Sequence, residues 1–175
     1  MFKIAIRNIS VMTVVLFASY LYGQSKSEWQ KFVAPDGSFS VLFPQKPKTT
    51  TKTEKSSKGK SVIYVASSFN RMFDFGVEQI TADYDMEHDD RVDVIRDNLV
   101  TQFGANLVSQ SETQLGDNKG IDMVFINSER NFKAKILVSG RRSYVVAISA
   151  PDSVQGDGEQ IDKFLKSFEI LKSGQ

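Results

Sequence analysis

A chain of 175 residues with a formal charge of +1, one histidine and no cysteine is sized for one domain. Near-neutral charge gives no electrostatic reason for a nucleic-acid partner, which needs a clear basic excess. The absence of cysteine excludes a thiol nucleophile, a Cys-based zinc site and a lipid-carrying N-terminal cysteine, and leaves the core alone to hold the fold.

Lys3 and Arg7 precede an apolar run from Ile9 to Tyr22, and Gly23 follows. Basic, then apolar, then small is the layout of a secretory signal peptide cleaved near Gly23. The run is fourteen residues long, short of the roughly 20 that a membrane-spanning helix needs. Leu21 stands where cleavage prefers a small residue, so an uncleaved N-terminal anchor is the competing reading. The expected organisation is a signal peptide over 1–23 and a single globular domain over 24–175. That domain is secreted or periplasmic and has no transmembrane segment in its mature form.

Two strands, Trp29 to Ala34 and Ser38 to Phe43, flank the turn Pro35-Asp36-Gly37. Phe39, Val41 and Phe43 give the second an apolar face, and Pro44 and Pro47 stop it. Gln45 to Lys60 has no apolar residue except Pro47 and reads as a loop or a mobile hairpin tip. Ser61 to Phe69 and Phe73 to Tyr84 are the next strands, with Val62, Tyr64, Ala66 and then Phe73, Phe75, Val77 at every second position.

The period then changes. Val92, Ile95, Leu99 and Phe103 form one stripe of a helix, with Asp89 or Asp90 expected as its cap and Gly104 as its end. Ala105 to Leu115, Ile121 to Ser128, Asn131 to Ser139 and Ser143 to Ala150 read as four further strands joined by tight turns. Ile161, Phe164, Leu165 and Phe168 mark a second amphipathic helix. Short hairpin links imply an antiparallel sheet, and helices grouped against it imply an α+β fold.

The opening Trp29-x-x-Phe32-x-x-Pro35-x-Gly37-x-Phe39-Ser40-Val41-x-Phe43-Pro44-x-x-Pro47 resembles the start of PsbP-like domains. Phe164-Leu165-x-Ser167-Phe168 resembles their end, and Gly140-Arg141-x-x-Tyr144 also fits the group. The resemblance implies an antiparallel β-sheet packed with two main helices as an α/β/α sandwich. It extends over nearly all of the chain after the leader. Members include an extrinsic subunit of photosystem II, a nuclear import factor that binds the GTPase Ran, and many secreted bacterial proteins without an assigned role. The group supplies no catalytic set to carry over, so it implies a binding or accessory module and not an enzyme, and fold alone does not fix function.

Asp83 to Asp90 holds five carboxylates and the sole histidine. Asp85, Glu87, His88 and Asp89 are candidate ligands for a hard, Ca²⁺-like cation, which prefers several oxygens. The spacing is not that of a calcium-binding loop, and acids also gather at a helix start because the dipole favours them. A hydrolase would need a base beside its nucleophile, yet no Gly-x-Ser-x-Gly elbow occurs. Lys166 and Ser167 are adjacent on a helix and do not face each other. No cofactor is indicated.

Between Gln45 and Lys60, six lysines stand against Glu54 alone, a local charge of +5. Lys46, Lys48, Lys52 and Lys55, with Arg141 and Arg142 at a hairpin tip, are the candidate contact surface for a protein or envelope-surface partner. The alternative is a solvated segment whose lysines keep strand edges from pairing with other chains. It lacks the aromatic residues that stack on bases.

Overall fold

The computed structural model describes residues 28–70, 72–152 and 158–171. The leader expected over 1–23 lies outside them. In chain order the described residues form β1 (Gln30–Val33), β2 (Phe39–Phe43), β3 (Lys48–Ser56), β4 (Gly59–Asn70), β5 (Phe73–Ala82), α1 (His88–Gln102), β6 (Asn106–Leu115), β7 (Asn118–Ile126), β8 (Arg130–Ser139), β9 (Arg142–Pro151), α2 (Gly158–Lys166) and β10 (Glu169–Ile170). All strand pairs are antiparallel, and with two helices the class is α+β.

Two sheets form where the sequence implied one. The larger is seven-stranded in the order β3-β4-β5-β9-β8-β7-β6, and the smaller is β1-β2-β10. β10 is only two residues long and carries no periodic signal. It exists because Glu169 and Ile170 pair with Ser40 and Phe39. The large sheet is two meanders, β3-β4-β5 and β6-β7-β8-β9, joined where β5 pairs with β9.

The pleat sends alternate side chains to opposite faces, and both faces of the large sheet are covered. On one face Phe73, Phe75 and Val77 of β5 and Tyr144, Val146 and Ile148 of β9 meet Phe39, Val41 and Phe43 of β2 and Phe164 of α2. The rings interlock: Phe164 lies 5.2 Å from Phe75 and 5.4 Å from Phe43, centroid to centroid. Trp29 stands edge-on to Phe75 at 5.6 Å under the Lys163 ammonium, so it belongs to this core, as Phe32 and Phe39 do.

On the other face Val92, Ile95 and Leu99 of α1 pack on Met123, Phe125, Phe132, Ile136 and Val145. The expected helical stripe is thus the buried one. Neither Asp89 nor Asp90 caps α1. Glu87 takes the cap position, with no side-chain hydrogen bond to the first turn. Gly104 ends the helix at φ +55°, a left-handed conformation that costs glycine little.

The segment 45–60 differs most from expectation. It is not a loop: Lys48–Ser56 forms β3, paired along its whole length with β4. The strand escapes hydrophobic reading because it is an edge strand wet on both faces, and threonine, which suits pleated backbone, supplies its propensity instead.

Candidate functional site

β3 is one open edge of the large sheet, pairing only with β4 among the described residues. Its register divides the lysines. Thr50 lies in one row with Val65 and Glu78; Lys52 with Ile63 and Ile80; Glu54 with Ser61 and Ala82. Val145, the β9 partner of Glu78, is buried beneath α1. Lys48 and Lys52 therefore face the α1 side, while Lys55, directly opposite Lys60, faces the other. Lys46 is exposed just before the strand. Three of the four expected contact lysines divide between the two faces of β3 and Lys46 precedes it, so the four do not form a single patch. Lys52 is further engaged by Glu54 at 3.0 Å.

Residue Glu78 was not singled out in the sequence. It is 1% exposed, and neither carboxylate oxygen has a hydrogen-bond partner. Burial pushes its carboxyl up to about 7, with nearby Lys52 pulling it down and Glu54 pushing it further up. The available signal was an acid inside the run Phe75-Gly76-Val77-Glu78-Gln79-Ile80, on the face that β5 alternation assigns to water. That face is dry because α1 and the β3 side chains cover it.

Beside Glu78's neighbour Ile80, a cleft opens between α1 and β4–β5. Its floor includes Ile63, Ile80 and Ala82, its wall Val94 and Ile95, and its mouth Tyr84, Arg91 and Arg141. It encloses about 40 Å³, where small-molecule sites usually need roughly 300 Å³ or more. Buried Arg91 is tied to the carbonyls of Gly140, at 2.7 Å, and Met86, at 3.4 Å, which fixes the start of α1 over the sheet.

The acidic segment does not converge. Asp85 is turned to Arg141, with Nε 3.0 Å from Oδ1. Glu87 is at the helix cap, His88 contacts Asp89 at 2.9 Å and the Lys119 carbonyl at 3.2 Å, and Asp89 projects into solvent. No group of three or more His, Asp and Glu side chains stands ready to share a metal among the described residues. Arg141 and Arg142 are also separated: Arg141 is exposed on Asp85, whereas Arg142 lies half-buried 3.6 Å from Asp36 on the opposite face.

That second face holds a satisfied polar cluster. Ser38, fully buried, sets its hydroxyl 2.6 Å from Asp36 Oδ1 and against Gln79 Oε1, while Gln79 Nε2 donates to Asp36 Oδ2 at 3.2 Å. Burial raises the Asp36 carboxyl, but the Ser38 and Gln79 hydrogen bonds and Arg142 outweigh it and hold it below the ordinary range. The cluster pins the Pro35-Asp36-Gly37 turn to the large sheet.

The overall fold matches a known structure. Cyanobacterial PsbP (CyanoP) from Synechocystis sp. PCC 6803, determined in solution, superimposes with a TM-score of 0.56 over 87% of this chain and 98% of its own, at 11% identity. This is a PsbP-like fold. A crystal structure from Bacteroides thetaiotaomicron, 15% identical, overlaps 83% of this chain and 49% of its own at a TM-score of 0.39, too low to bear on the PsbP-like assignment. No protein-family profile and no curated protein matches the sequence. At 11% identity the likeness to PsbP speaks of fold alone.

Proposed function

We propose that the protein is a non-enzymatic accessory module that works outside the cytoplasm and docks a partner protein along β3. The open, basic edge of the large sheet carries this reading. An edge strand presents unpaired N–H and C=O groups that a partner strand can complete. A flat anionic surface would meet only one face of β3, whereas an extended acidic strand laid along the edge meets both lysine margins. Lysines on the edge also repel a second copy of β3, so an acidic partner is admitted and self-pairing is not. The basic-apolar-small order of the first 23 residues supports export, and the sole histidine is held by Asp89 and a main-chain carbonyl rather than by a nucleophile.

The test is crosslinking and affinity recovery from the native envelope with wild type and with the double variant Lys48→Glu/Lys55→Glu. These substitutions leave the Lys52–Glu54 pair in place. A partner lost in the variant while the domain still melts cooperatively within a few degrees of wild type supports docking at β3. Equal recovery of the same partner by both proteins overturns it.

A further inference from the structure

Glu78, Lys52 and Glu54 share one face of the sheet in successive rows. Lys52 occupies the row between the two acids. Its ammonium now sits on Glu54, and the Glu78 carboxylate oxygens are buried without a partner. A charged carboxylate cannot stay unpaired in such a place without a large penalty, so it is either neutral or it recruits a cation.

We propose that Lys52 is a two-position cation whose choice between Glu54 and Glu78 is set by the protonation of Glu78. With Glu78 neutral, Lys52 pairs outward with Glu54. When Glu78 loses its proton, the flexible four-carbon stem of Lys52 folds inward over Ile63 and Val65 to the buried carboxylate, and Glu54 is left unpaired at the surface. The outer face of β3 then exchanges a paired lysine for a bare acid.

Among the described residues, Lys52 is the cation that pulls on the Glu78 carboxyl. On β3, Lys48 lies on the same face in the row next to that of Glu78, on the side away from Glu54. The β4 side chains nearby are Ile63, Val65 and Ser67, and the β9 side chains are Ser143, Val145 and Ala147. On α1, Arg91 is spent on two carbonyls, and Val94, Ile95 and Asn98 line the cleft. Arg96 points away, engaged by Asp93, Asp97 and Gln110. The switch operates in the isolated domain, with or without a partner at β3.

The test is a carbon-13 titration of the glutamate side-chain carboxyls of the folded protein between pH 3 and pH 9. The expected result is a Glu78 midpoint near 7 and a second inflection of Glu54 at the same pH, beyond its own ionisation. In Lys52→Met the second Glu54 inflection disappears and the Glu78 midpoint rises by about one pH unit. In Glu78→Gln the second inflection is also absent. Wild type and Lys52→Met suffice if Glu78→Gln does not fold. A Glu78 midpoint in the ordinary carboxylate range overturns the proposal. So does a second Glu54 inflection that persists unchanged in Lys52→Met, since that would be a through-space effect of charge with no movement of the lysine.

Discussion

The two faces of β5 are built from neighbouring residues and obey opposite rules. On one, Phe73, Phe75 and Val77 join an aromatic core, and the single amide, Gln79, is bonded to Asp36, Thr81 and Ser38. On the other, Gly76, Glu78 and Ile80 lie where α1 covers the sheet only in part, and the one acid has no partner. The first face shows a buried amide held at little cost because both its oxygen and its nitrogen are bonded. The second shows an unsatisfied group kept at a site where pH decides its charge.

Breaking the aromatic face has the largest effect. Phe39 is fully buried and touches Phe32, Tyr64, Tyr144 and Phe168, so Phe39→Ala costs about 4 kcal/mol in denaturant unfolding. The other face answers to pH. The Glu78 carboxyl rises from 4.5 to about 7 on folding, so the unfolded chain ionises first. Its penalty is absent below about pH 4.5, grows up to about pH 7 and then stays, at roughly 3 kcal/mol. Glu78→Gln therefore stabilises the fold by about 2 kcal/mol at pH 8, less than the full penalty because the amide is also unpaired, and by nothing measurable at pH 4. Paired unfolding curves at the two pH values check this.

The Asp36 carboxyl, held low, works in the reverse sense: its contribution is present at neutral pH and is lost as pH falls through its folded value. Acid thus loosens one face and relieves the other. The smallest effect belongs to the open edge. Lys48→Glu/Lys55→Glu shifts stability by a few tenths of a kcal/mol, in the favourable direction at Lys55, which stands opposite Lys60. A thermal melt of that variant measures it.

The sequence exposes whatever is decided by one face of one element. Val92, Ile95 and Leu99 announce α1, Phe164 announces α2, and the Pro35-Asp36-Gly37 turn announces the β1–β2 hairpin. It hides what is decided between elements. β3 has no apolar face, so only its pairing with β4 makes it a strand. β10 is two residues held by β2. Glu78 reads as solvent-facing because alternation gives β5 one inner face, and no local pattern shows that α1 will close over the second. The acids at 83–90 read as a cluster because they are close in sequence, but the chain turns there and sends Asp85 to Arg141 and His88 to Lys119.

The joint between the two meanders also governs how the sheet assembles. Every other neighbouring pair in the large sheet is consecutive in the chain, and such hairpins close on the microsecond scale. β5 and β9 must bring Asp74 to Ser149 and Thr81 to Arg142 across the whole of α1 and three strands. That closure gives up chain entropy before any contact rewards it. Within the large sheet, β5–β9 is therefore the pairing expected to form slowest. Truncating Val77 or Val146 there slows folding, while changes on the outer strands β3 and β6 act mainly by speeding unfolding.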